Sequence, residues 1–306
     1  MRIVSLLPSA TEICFALGLG PSLVGITHEC DFPPQAEYKP VLTRSELDHE
    51  GAGPGEIDRH VQEALHEGSS LYRLDREGLR RARPDLILTQ ELCEVCAVAY
   101  PEVLEAARLL PGKPTILSLE PHSLSDVMRS IIDVGQATGT GERAAELVRG
   151  LWARVDAVRG AVTGRGRPRV VCLEWVDPLM AAGHWVPDQV DVAGGIDVLG
   201  SSGEPSRKVS FAELQAAAPE VIFCMPCGNR LAASEAQAHQ LSALAGWSDL
   251  PAVESGQVYA VDGSWYFNRP GPRVVDGIEI LARLLHPDAG RGPVPQGYSK
   301  VEQRPG

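Results

Sequence analysis

The stretch Arg83-Pro84-Asp85-Leu86-Ile87-Leu88-Thr89 has a near-copy at Ala218-Pro219-Glu220-Val221-Ile222-Phe223-Cys224. In each copy a helix-like segment stops at a proline followed by an acid, because proline cannot continue the helix. Each copy then runs into a short apolar segment of strand character and breaks at a loop carrying cysteine. Aligning Pro84 with Pro219 sets an offset of 135 residues, on which Cys227 falls one residue from Cys93. The chain therefore reads as two related halves, each with a cysteine just past the carboxyl end of an equivalent strand. In open α/β sheets that end is where ligands bind.

Around this repeat, strands and helices alternate. Residues 2–7 read as a strand. Ser9-Ala10-Thr11-Glu12 supplies hydroxyl N-caps, with Glu12 three residues after Ser9 as in a capping box. Leu23 to Thr27 is a second strand, and His28-Glu29-Cys30-Asp31 opens a loop. Residues 43–60 read as a long loop leading into a helix near 56–67. Thr115 to Leu119 closes the alternation, which implies a mostly parallel sheet. From Pro121 to Gly160 the apolar spacing is helical throughout, with a weak point at Gly139-Thr140-Gly141. The expected organisation is a lobe over 1–120, a linking helix over 121–164, a second lobe over 165–286 and a loosely ordered tail over 287–306.

The chain has 306 residues and a net charge of −12, a sign that disfavours nucleic acid and anionic membrane surfaces. No run approaches the length of a membrane-spanning helix. The start shows no leader pattern, so the sequence as written reads as cytoplasmic, and as periplasmic or extracellular if the true start lies upstream. Seven cysteines is an odd number for a disulfide framework.

Arg2 to Glu12, Ala82-Arg83-Pro84-Asp85-Leu86-Ile87 and Gly256-Gln257-Val258-Tyr259-Ala260-Val261 together resemble landmarks of one family. It is the helical-backbone (class III) substrate-binding proteins of ABC importers for cobalamin, haem and iron-siderophores. The opening and the aromatic loop look most like the cobalamin-binding branch. The resemblance implies two Rossmann-like α/β lobes joined by a long backbone helix, a ligand cleft between the lobes, and importer membrane subunits as partners.

Trp175, Trp185, Trp265, Tyr266 and Phe267 are expected in loops past strands, where flat side chains grip a macrocycle such as cobalamin or another corrinoid. Ser9, Thr11 and Gln90 are expected to meet its polar groups, and His28 its metal. Cys30, Cys93, Cys96 and Cys227 form the candidate metal set. They carry a rival reading, a cytosolic metalloprotein holding zinc or an iron–sulfur cluster in a redox or sensing role. Cys14, Cys172 and Cys224 read as small buried groups. No nucleophile elbow, zincin motif or phosphate loop is present, so an enzyme is expected only if the cysteine site is redox active.

Overall fold

The computed structural model describes residues 1–46, 52–66, 71–91, 98–289 and 296–302. Its internal contacts divide the chain into two units, Met1–Pro121 with Met128–Arg149, and His122–Val127 with Gly150–Gly306.

The first unit contains β1 (Ile3–Ser5), α1 (Pro8–Ala16), β2 (Leu23–Ile26), β3 (Thr43–Ser45), α2 (Pro54–His66), β4 (Tyr72–Leu74), α3 (Arg76–Ala82), β5 (Leu86–Thr89), α4 (Tyr100–Arg108) and β6 (Thr115–Ser118). Its main sheet runs β2-β1-β5-β6, with every pairing parallel. Such a sheet is covered on both faces, so its strands read as unbroken apolar runs rather than alternating ones. Ile3, Val4, Ile87 and Leu88 have no exposed surface. The residues expected as a long loop supply β3, which pairs antiparallel with β4 as a separate two-stranded sheet.

Two helices then follow, α5 (Leu124–Thr138) and α6 (Gly141–Val162). The expected weak point separates them, and Gly139 there takes a φ of 71°. The division between the units falls inside both helices.

The second unit continues with β7 (Arg169–Val176), β8 (Leu179–Ala181), α7 (Val186–Val192), β9 (Ile196–Asp197), β10 (Arg207–Lys208), α8 (Phe211–Ala217), β11 (Val221–Cys224), α9 (Leu231–Gln240), α10 (Pro251–Glu254), β12 (Val258–Val261), α11 (Gly263–Tyr266), α12 (Val274–Leu285) and β13 (Tyr298–Lys300). The sheet order is β10-β8-β7-β11-β12-β13, with β9 paired to β7. β7, β11 and β12 are parallel, whereas β8, β10 and β13 are antiparallel additions. β13 corrects the expectation of a loosely ordered tail, since Tyr298–Lys300 pairs with Val261–Tyr259.

The repeat read from the sequence is carried by matching physical devices. Asp75 and Ser210 cap α3 and α8 through their side chains. Both helices end on a non-glycine residue in the left-handed region, Arg83 at φ 43° and Ala218 at φ 41°. In the first unit the Arg2 Nε donates to the Ala82 carbonyl at 2.8 Å, and its backbone N–H donates to the Asp85 carboxylate at 2.7 Å. In the second unit Arg169 does the same to Ala217 at 3.1 Å and to Glu220 at 2.8 Å. Each arginine thus satisfies a carbonyl at a helix end, which would otherwise lack a partner, and fixes the strand beside it.

Candidate ligand-binding site

In the first unit the carboxyl ends of β1 and β2 meet in a hydrogen-bonded cluster. α1 begins at Pro8 with Leu7 as its N-cap, and no side chain caps it. Ser9 therefore lies inside the first turn, 4% exposed, and the expected capping box is absent. Thr11 is fully buried one turn further in. Its hydroxyl donates to Ser5 Oγ at 2.8 Å and lies 3.1 Å from the Cys30 sulfur. His28 follows β2, with Nδ1 2.7 Å from Thr43 Oγ1 and Nε2 3.3 Å from Glu29 Oε1. That contact ties β3, which the sequence reading missed, to the expected histidine. Past β5, Gln90 is buried, and the Glu91 N–H donates to Glu120 at 2.7 Å.

In the second unit the aromatic candidates lie in β7 and past β8 and β12. Trp175 stands within β7, partly exposed, and its indole N–H donates to the Asp177 carbonyl at 2.9 Å. Its neighbour Glu174 accepts from Ser206 Oγ at 2.6 Å, and burial holds its carboxyl above the usual range. Ser206 also lines a cavity of about 370 Å³ with Ala181, Gly200, Ser201, Glu204 and Arg207.

Three of the aromatic expectations are corrected by packing. Phe267 has no exposed surface, and Tyr266 and Trp185 are each 6% exposed. The Trp185 indole donates to the Phe267 carbonyl at 2.7 Å. Gln189 Nε2 reaches the carbonyls of Tyr266 and Val274, at 3.1 and 2.8 Å. These side chains lock the backbone of 266–274 onto α7, and a buried aromatic with a satisfied polar handle is a stable way to do so. Trp265 differs. It is partly exposed in α11, with the Arg230 guanidinium 3.4 Å and the Arg273 guanidinium 4.7 Å from its ring centre. Arg230 also donates from Nε to Asp262 at 2.7 Å. Sequence reasoning did not single out Arg230. The only signal available was a charged residue in the loop after the second copy of the repeat.

The cysteines separate by environment. Burial pushes the thiols of Cys14 and Cys224 up to about 12 and raises Cys172, so all three behave as small apolar groups. Cys30 belongs to the first unit and is buried, whereas Cys227 belongs to the second and is partly exposed. Cys93 and Cys96 lie outside the described residues. Among the described residues no three His, Cys, Asp or Glu side chains gather closely enough to hold a metal ion. No described helix is long and apolar enough to cross a membrane.

The periplasmic binding protein family matches residues 3–264. The chain belongs to this family. Among its relatives is the vitamin B12-binding protein of Vibrio cholerae, 26% identical over 93% of this chain and 88% of that one. An uncharacterised ABC transporter substrate-binding lipoprotein of Bacillus subtilis, YvrC, is 24% identical over 94% and 80% of the two chains. Among solved structures, the apo form of the periplasmic haem-binding protein RhuT from Roseiflexus sp. RS-1 is similar. It has a TM-score of 0.71 and 26% identity over 94% of this chain and 99% of that one. The binding protein is thus a class III, two-lobe α/β substrate-binding protein of the kind its landmarks suggested. The family consists of binding proteins rather than enzymes.

Proposed function

We propose that this binding protein carries cobalamin or a related corrinoid to an ABC importer, outside the cytoplasm. The observation that carries the reading is the match along 93% of the chain to a vitamin B12-binding protein. The lipoprotein relative supports an exported location. The residues assigned to the ligand are those the strand ends leave partly exposed, His28 in the first unit and Trp175 and Trp265 in the second; Ser9, Thr11 and Gln90 are as buried as Tyr266 and Trp185 and lie beneath that surface. Of the three assigned residues, His28 is the candidate metal ligand. Its Nδ1 lies 2.7 Å from Thr43 Oγ1 and its buried Nε2 3.3 Å from Glu29 Oε1, so a bond to a metal requires the ring to leave one of these partners.

The test is a visible absorption titration of the protein, purified without oxygen, with aquocobalamin. A shifted corrin band that saturates at one ligand per chain supports the reading. An unchanged spectrum, with no heat in parallel calorimetry, sinks it. Haem is the second reading, favoured by the likeness to RhuT. A Soret band that shifts on hemin addition, with no response to the corrinoid, would select it.

A further inference from the structure

We propose that the C-terminal strand β13, with Gln296 and Gly297 before it, is a positioning element for the ligand surface of the second unit, setting α11 and the Trp265 it carries. The proposal rests on the reading of Trp265 as a ligand contact. β13 runs antiparallel to β12, so its first residues lie at the carboxyl end of β12, where ligands bind. There the chain makes two bonds past the last paired residues, Val261 and Tyr298. The Asp262 N–H donates to the Gly297 carbonyl at 2.8 Å, and the Tyr266 hydroxyl donates to the Gln296 carbonyl at 3.1 Å. Asp262 is the N-cap of α11 and Tyr266 its last residue, so two successive residues hold both ends of the helix. Asp262 passes the constraint on, since its carboxylate accepts from the Trp265 N–H at 2.9 Å.

A strand that only covered the edge of β12 would need no bond past Val261. Gly297 makes the closer approach possible. It is buried, and a Cβ there would clash with Cε2 of Tyr266, so only glycine lets the backbone come this near the ring. The ring has little room to retreat. Tyr266 is buried, and its own carbonyl accepts from Gln189 Nε2 at 3.1 Å. The far end of the strand is fixed independently. Val301 is buried in the apolar cluster of the second unit, and its N–H donates to the Val258 carbonyl at 2.9 Å. β13 thus ties α11 to the core by a second path, besides the helix's own link to β12. A helix of four residues has too few bonds of its own to hold its place without such ties.

The experiment compares the full wild-type chain with Gly297→Ala and Tyr266→Phe, first by hydrogen exchange read by mass spectrometry, then by affinity for aquocobalamin. Gly297→Ala pushes the strand off the ring, and Tyr266→Phe removes one of the two bonds. In both variants the amides of 262–268 should exchange about 3–10-fold faster, while those of β11 change less. Affinity for aquocobalamin should fall by about 3–10-fold as well. An unchanged rate at 262–268 in either variant, or a rise matched by β11, overturns the proposal. So does faster exchange with unchanged affinity, which would leave β13 a structural edge alone. If wild type does not bind aquocobalamin, the ligand reading has failed separately. The exchange rates by themselves then decide whether β13 positions α11.

Discussion

Phe267 shows how burial decides a role that sequence leaves open. Three consecutive aromatics, Trp265, Tyr266 and Phe267, look like one gripping surface in the sequence. The short helix α11 and its anchors turn Phe267 fully inward and leave only Trp265 partly exposed. Phe267→Ala should therefore cost about 3–5 kcal/mol of stability by urea unfolding. Its folded fraction should keep ligand affinity, and a selective loss of affinity would return Phe267 to the site. Asp197 makes a second residue-scale prediction. Burial pushes its carboxyl up to about 6, against backbone hydrogen bonds from Leu199 and Gly200 at 3.1 and 2.7 Å. The folded state then holds a proton that the unfolded state has released, so stability falls as pH rises from about 4 to about 6. Asp197→Asn should remove that part of the slope, leaving the variant more stable than wild type at pH 7 and closest to it near pH 4. Urea melts across this range that run parallel for the two proteins would refute the assignment.

At the scale of elements, the repeat was legible because it is enforced at its boundaries. Proline, acid and apolar run are sequence features, and the strands they announce are in place. β3, β8, β10 and β13 were not legible. Each is two or three residues long, too short for any period to show, and all but β8 lie at an edge or in a separate pair. The capping box at Ser9 failed for a different reason. Pro8 is a better first helical residue than Ser9 is a cap, and it draws the helix start forward. Cys224 was legible as a small buried group, because it ends the apolar run of β11, which carries it into the core and leaves Cys227 partly exposed beyond the strand. The matching helix ends give a prediction of their own. Arg83 and Ala218 pay for a left-handed backbone that glycine adopts freely. Arg83→Gly and Ala218→Gly should each stabilise the protein by about 0.5–1 kcal/mol, measured by thermal or urea unfolding. Opposite signs at the two sites would mean that the two helix ends differ in energy despite their shared geometry.

At the scale of the whole molecule, a ligand that binds only the folded chain must stabilise it by mass action. At about 100 times the dissociation constant the gain is about 2.7 kcal/mol, so the melting temperature should climb with corrinoid concentration. A melting point indifferent to a ligand that demonstrably binds would require equal binding by the unfolded chain. The division into two units has an optical consequence as well. All five tryptophans, Trp152, Trp175, Trp185, Trp247 and Trp265, fall in the second unit, and the first has none. Indole emission is therefore blind to half of the molecule, whereas far-ultraviolet dichroism sees the helices of both. Followed together through one denaturant series, the two signals report whether the halves melt as partners or apart, with no label introduced.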